Sequence, residues 1–254
     1  MKIFLIGSGN VATQLGKAFK RCGQQIVFIY SPNFSHAAIL GKKLKTSFGK
    51  TMDAFAEFPA DIYIIAVKDD AITEVVKKLP ALKNSLVIHT SGATDIAVLK
   101  KKFKNCGVLW QIQTIKARTK VDFRKVPLVI EGSNPSSEKK IKQLANGLSR
   151  KVYVFNSHQR KILHLGAVWA NNFPNHMYYL AETLLKKHKL PFELFGPMIL
   201  STAENGIKNP HASQTGPAKR NDKKTMNEHL KLLSGNKKFR DLYKLISKSI
   251  LQSQ

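Results

Sequence analysis

The chain has 254 residues, 43% of them hydrophobic, which is ample for two packed domains and excludes wholesale disorder. Forty-two Lys and Arg against 16 Asp and Glu give a net charge of +26, which raises nucleic acid as a partner. Only seven of those residues are Arg, and no helix-turn-helix, zinc-finger or RNA-recognition motif is present, so a specific nucleic-acid role is not expected.

In chain order, the N-terminal "MKIFLIGSGN" has an apolar stretch that ends at Gly7 after four residues. That reads as a buried strand, since a signal peptide needs roughly 7–15. The further runs "QIVFIY", "DIYIIAV", "SLVIHT", "GVLWQIQ", "VPLVIEG" and "KVYVF" are nearly continuous hydrophobics, as strands covered on both faces are. Amphipathic stretches such as "NVATQLGKAFKRCG" and "DDAITEVVKKL" lie between several of them. The alternation predicts a largely parallel, doubly wound α/β sheet over residues 1–155. From 156 to 254 the chain reads as all-helical, with helices near 158–187, 192–207, 222–233 and 236–251. Asn156 followed by Gln159 resembles a capping box, and Pro174 inside the first of these helices should free the Ala170 carbonyl and kink the axis. No apolar run reaches the ~18–20 residues of a membrane span. Cys22 and Cys106 have neither metal nor framework spacing, so no metal site and a reducing, cytoplasmic compartment are expected.

Gly7-Ser8-Gly9-Asn10-Val11-Ala12 is GxGxxG with Ala in the third place, following a strand and opening a helix. That context is the dinucleotide fingerprint: Gly7 for the turn, Gly9 for approach of the pyrophosphate, Ala12 for close packing, and the helix N-terminus for the phosphates. The second strand ends in Tyr30, Ser31, Pro32 and Asn33, which offer hydroxyls and an amide but no carboxylate. A carboxylate would repel a 2′-phosphate, so its absence favours NADP over NAD, with Lys42 and Lys43 on the next helix as a source of charge. Two further strand ends, at Ala66-Val67 and at Thr90-Ser91-Gly92, complete the predicted cofactor contacts, because ligands bind outside the carboxyl ends of such strands. Ordinary turn chemistry accounts for Thr90–Gly92 equally well.

The helix beginning near 158 carries a polar stripe beside apolar neighbours. At ~100° per residue, His164, Asn171 and Asn175 fall within about 40° of one another, with Asn172 and His176 alongside. Such a stripe reads either as a structural network between helices or as a substrate-facing surface whose imidazoles pass protons.

The segments "GSGNVATQLG", "AVKDDAI", "HTSGA", "HLGAVWANNFPNHMYYLAE" and "QTGPAKRND" with the following "HLKLL" resemble the proteins that join a Rossmann-like NADP-binding domain to a helical domain of unknown function numbered 2520. More distantly the chain resembles pyrroline-5-carboxylate reductases and 6-phosphogluconate-type dehydrogenases. The resemblance implies an NADP-dependent oxidoreductase, and Lys219 and Arg220 would attract an anionic group on a small substrate. On the substrate-facing reading of the stripe, His164, Asn172 and His176 are the candidate catalytic residues. Gln113, Gln214, Thr215, Lys219, Arg220 and Asp222 become candidate substrate contacts, and a homodimer is implied through the helical half. Two features depart from the family's pattern. Trp110-Gln111-Ile112-Gln113-Thr114 stands where a His or Tyr then Pro precedes Gln-Thr, and Ser201-Thr202 with Asn205 stands where a Glu-Thr pair and a Lys are usual. Those losses raise the alternative of a non-catalytic dinucleotide-binding sensor or scaffold.

Overall fold

The computed structural model describes residues 1–116 and 121–253. The sheet half alternates as expected: β1 (Lys2–Ile6), α1 (Asn10–Arg21), β2 (Gln25–Tyr30), α2 (Phe34–Leu44), β3 (Ser47–Gly49), α3 (Ala54–Glu57), β4 (Ile62–Ile65), α4 (Ile72–Lys78), β5 (Leu86–His89), α5 (Ala97–Lys100), β6 (Cys106–Gln111), β7 (Leu128–Gly132), α6 (Pro135–Leu148) and β8 (Val152–Val154). The helical half follows with α7 (Ser157–Ala167), α8 (Phe173–Lys187), α9 (Gly196–Lys208), α10 (Lys223–Leu232) and α11 (Lys237–Gln252). Among the described residues no strand occurs after β8.

The strands form one sheet in the order β3-β2-β1-β4-β5-β6-β7-β8. Every pairing is parallel except β6 with β7. Among the described residues no α-helix lies between those two, and the chain returns beside β6 in the opposite direction. The three-residue β3, "SFG", is too short and too little apolar to be read from sequence. Alternate residues of β1 enter separate cores. Ile3 and Leu5 pack with Leu15, Phe19 and Ile64 on one face, while Phe4 and Ile6 pack with Phe28, Phe55 and Tyr63 on the other. Burial on both faces is why these strands read as unbroken apolar runs.

By contacts the chain divides into two compact units, Met1–Ala170 and Asn171–Gln254. Helix α7 packs with the sheet, and its start carries the expected capping box. Asn156 Oδ1 accepts the Gln159 N–H at 2.9 Å, and Gln159 Oε1 accepts the Asn156 N–H at 3.0 Å. A π-helical turn, Val168–Asn172, leads into Phe173-Pro174. The wider turn makes room for a proline that brings no N–H and crowds the carbonyl four residues earlier. It also means that a uniform 100° spacing does not carry through residues 168–172.

The helical unit is thin. Among the described residues, helices α8–α11 contain no buried residue, and within the unit only Ala218 and Leu233 are buried. Asp222 and Asn236 cap α10 and α11 through the N–H groups of Thr225 and Phe239. No helix among the described residues is long and apolar enough to cross a membrane.

Candidate cofactor and active site

The loop after β1 is built around two glycines with different reasons. Gly7 sits at φ +114°, and a Cβ there would lie 2.3 Å from the Ala66 carbonyl oxygen and 3.2 Å from Val67. The strand ends of β1 and β4 therefore close on each other only across a glycine. A Cβ at Gly9, in contrast, would meet no protein atom within 4 Å. Protein packing gives no reason for a glycine there, whereas a ligand approaching the main chain does. Gly9 is the N-cap of α1, its side-chain cap position is unused, and no acidic residue stands in the first turn, which begins with Asn10 and Val11. The helix end thus keeps its unpaired N–H groups and partial positive charge for an anion. Ala12 is completely buried beneath. This cradle fits the pyrophosphate of a dinucleotide.

The β2 end lies alongside. The Gly7 N–H donates to the Tyr30 carbonyl at 2.8 Å, and the Ser8 hydroxyl donates to the Ser31 hydroxyl at 3.0 Å. Ser31 is buried, and Tyr30 is half-buried against Phe55. Asn33 caps α2, accepting from the His36 N–H and the Ser35 hydroxyl. Ser35 and His36, exposed in the first turn of α2, are further polar groups at this edge that the sequence reading passed over. Lys42 and Lys43 are in the last turn of α2, roughly 13 Å along the axis from its start. Lys43 lies against Lys17, whose ammonium is pushed below the ordinary lysine value by burial and by that like charge. The expectation that these lysines serve a 2′-phosphate is therefore corrected: they belong to the opposite end of the helix.

The β5 end is a loop fastened from two sides. The buried Thr90 donates its N–H to the Ile65 carbonyl, beside Ala66 and Val67. Ser91 Oγ accepts the N–H groups of Ala93 and Thr94, and the Ser91 N–H donates to His89 Nδ1 at 3.2 Å. His89 is completely buried, and its Nε2 finds no hydrogen-bond partner. Burial, followed by the Arg160 charge, lowers its pKa to about 3, so the ring is neutral. Arg160, from α7, is also completely buried. Its Nη1 donates to the carbonyls of Ser91 (3.1 Å), Gly92 (3.0 Å) and Thr94 (2.6 Å), and its Nη2 donates to Glu131 Oε2 and Ser157 Oγ, both at 2.9 Å.

His164 stands one turn beyond Arg160, half-buried, with its ring 5.9 Å from that of Trp110. Gly92 carries no side chain because a Cβ would lie 2.5 Å from Trp110 and 2.8 Å from His164. The sheet unit thus brings together the Gly7–Val11 loop, the ends of β2, β4 and β5, and His164. Gln113 is exposed two residues past the end of β6, where the buried side chain is Gln111, with Oε1 unpartnered. Sequence reasoning did not single out His89, Glu131 or Arg160. A lone Arg among 42 basic residues gives no sign in sequence that it is the one buried.

The remaining candidates belong to the helical unit. Asn172 and His176 are exposed, with His176 stacked on Tyr179 at 5.9 Å. "QTGPAKRND" is a tight turn with Gly216 at φ +103° and Ala218 buried. Gln214, Thr215 and Arg220 are exposed, and Lys219 is half-buried. Thr215 and Pro217 lie at the wall of an apolar groove of about 320 Å³ formed with Leu180, Leu184, Phe239 and Ile246. Asp222 has both carboxylate oxygens engaged by Thr225, which holds its pKa below the ordinary carboxylate value.

Comparison with known proteins bears on this arrangement. Residues 126–250 match the family model of a domain of unknown function (DUF2520), and residues 2–92 match that of the coenzyme F420-dependent NADP oxidoreductases. A Bacteroides fragilis protein of known structure, classed provisionally as an NADP oxidoreductase, is 37% identical with a TM-score of 0.88, over 99% of this chain and 98% of that one. A Thermotoga maritima protein shares the fold at 21% identity and TM-score 0.74, covering 99% and 97% of the two chains. So does an imine reductase from Myxococcus stipitatus in complex with NADP+, at 14% and 0.67, covering 99% and 92%. No curated protein matches the chain. The chain belongs to the family that joins a Rossmann-like NADP-binding domain to the DUF2520 helical domain. It is an NADP(H)-binding oxidoreductase.

Proposed function

We propose that the protein transfers a hydride between NADP(H) and a small anionic substrate carrying a C=O or C=N bond, with His164 as the proton donor. The observation that supports this most is the convergence at one sheet edge: an unfilled cradle over Gly9, the Thr90–Gly92 loop, and an imidazole that together with Trp110 crowds the space a side chain at residue 92 would need. Bound NADPH supplies the hydride. The first turn of α1 orients the pyrophosphate, Ser8 and Ser31 meet the adenosine ribose, and the Thr90–Gly92 loop holds the nicotinamide end. A ring nitrogen of His164 gives its proton to the substrate heteroatom as the carbon is reduced, and takes it back in the oxidative direction. Asn172 and His176 orient the substrate, while Gln113, Gln214, Thr215, Lys219 and Arg220 supply its polar and anion contacts. Residues 1–155 carry dinucleotide binding and residues 156–254 substrate binding and dimerisation. Two copies associate through the apolar faces that α8–α11 leave open. The unpaired cysteines, Cys22 exposed and Cys106 buried, suit the reducing cytoplasm.

The test is NADPH oxidation against a panel of keto acids and imines. A substrate that turns over with the parent and at least ~100-fold more slowly with His164→Gln supports the role; equal rates reject it. A second reading, a dinucleotide sensor, is favoured by α9, where uncharged Ser201 and Asn205 face each other across 3.4 Å at exposed positions. Tight NADPH binding with no turnover across the panel would select it.

A further inference from the structure

We propose that Arg160 is the positioning residue for the nicotinamide end of the cofactor: it fixes the loop Ser91–Thr94 and, through the turn of α7 that it anchors, sets His164 against that loop. The inference rests on the reading above in that Thr90–Gly92 and His164 face the nicotinamide.

Burying Arg160 is costly. A guanidinium with no exposed surface loses its hydration, and an ion pair with one carboxylate seldom repays that loss. The Glu131 bridge, 2.9 Å long, uses only one edge of the fork. The other edge is spent on three carbonyls of one short loop, Ser91, Gly92 and Thr94. Nothing in packing demands that choice, and Arg160 Nε is left without a partner to achieve it. What the choice achieves is a loop with its main chain held on both sides. The carbonyls turn to Arg160, while the Ser91 N–H is held by His89 and those of Ala93 and Thr94 by the Ser91 hydroxyl. Ser157, at the start of α7, fastens the same assembly by donating to Glu131 and accepting the Ile96 N–H.

Spacing along α7 links the loop to the imidazole. Arg160 and His164 are four residues apart on α7 and share a face. The first grips the Gly92 carbonyl, and the second occupies the space that a side chain at Gly92 would need. A change in how Arg160 seats therefore moves the loop and the imidazole relative to one another. The cradle for the pyrophosphate and the Ser8–Ser31 edge make no bond to Arg160. The effect of altering Arg160 should be confined to one end of the dinucleotide.

That confinement is measurable without knowing the substrate. Affinities for NADPH and for 2′-phospho-ADP-ribose, which lacks the nicotinamide, are compared by calorimetry in the parent, Arg160→Lys and Glu131→Gln. Lysine keeps the charge, but a single ammonium cannot span Glu131 and three carbonyls together. The expected result is a loss of about tenfold for NADPH, with the fragment changed less than about twofold. Equal losses for both ligands would make Arg160 a general structural brace, and no loss for either would show that the loop holds itself; each overturns the proposal. If Arg160→Lys does not fold, Glu131→Gln is read by the same criterion. A parent protein that binds NADPH no better than the fragment would sink the nicotinamide reading itself, and with it this proposal, before any variant is made.

Discussion

At the scale of single residues, Gly7 and Gly9 look alike in the fingerprint but do different work. A side chain at Gly7 meets the Ala66 carbonyl at 2.3 Å and must adopt φ +114°, whereas one at Gly9 meets nothing. Gly7→Ala should therefore destabilise the fold by at least about 1–3 kcal/mol. Gly9→Asp should leave the melting temperature nearly unchanged while NADPH affinity falls more than tenfold, about 1.4 kcal/mol or more. Thermal melts paired with fluorescence titration check both, and the account fails if Gly9→Asp binds as the parent does. His89 gives the chain an acid-sensitive residue. Its folded pKa, about 3, lies below the ordinary 6.5 because burial, and then the Arg160 charge, disfavour the imidazolium. A histidine lowered in this way contributes no penalty above about pH 6.5. As the pH falls from there toward 3, the unfolded chain takes up a proton that the folded one refuses, and stability is lost. Between pH 7 and pH 5 the loss from this ring should be about 2 kcal/mol. Urea unfolding at the two pH values should show that drop in the parent and a smaller one in His89→Asn, whose amide oxygen still accepts the Ser91 N–H. Identical drops in both proteins would count against it.

At the scale of elements, "QTGPAKRND" shows how a turn is built to hold its ends and leave its side chains outside. Main-chain bonds from Asp222 to Pro217, from Asn221 to Ala218 and from Arg220 to Gly216 fold it, Ala218 pins it, and Asp222 starts α10. Thr215 and Arg220 take no part in that scaffold with their side chains and are exposed. Thr215→Val and Arg220→Ala should then change stability by no more than about 0.5 kcal/mol. They should reduce turnover or, with no substrate in hand, the thermal stabilisation that a bound ligand gives. A large drop in melting temperature with ligand response intact would make the stretch a structural clamp.

At the scale of the whole molecule, the imbalance between the two units is the main fact. The sheet unit has a core on each face, whereas the helical unit buries Ala218 and Leu233 and leaves Met198, Leu200, Ile207 and Leu232 more than half exposed. Apolar surface on that scale is stable in water when something covers it. The proposed second copy would cover these residues with the same four helices, and symmetric pairing is the commonest assembly. Light scattering should report about twice the chain mass of 28.5 kDa. Leu200→Glu should shift the particle toward the monomer. A parent that is monomeric at every concentration removes the dimer, and with it the role given to these faces.

The sequence by itself determined the alternating sheet, because strands buried on both faces must be apolar at every position, and it determined the helical second half, from the capping box at Asn156 onward. It also marked the candidate cofactor loop, since the turn at Gly7 requires glycine and a Cβ at Gly9 would meet no protein atom. What it did not carry was any relation that depends on chain segments far apart. The β6–β7 reversal was decided by packing. Arg160 is the clearest case. Its partners Ser91, Gly92, Thr94 and Glu131 are 29 to 69 positions away. No local pattern marks which charged residue will be buried, because the free energy that permits it comes from acceptors that only the folded chain assembles.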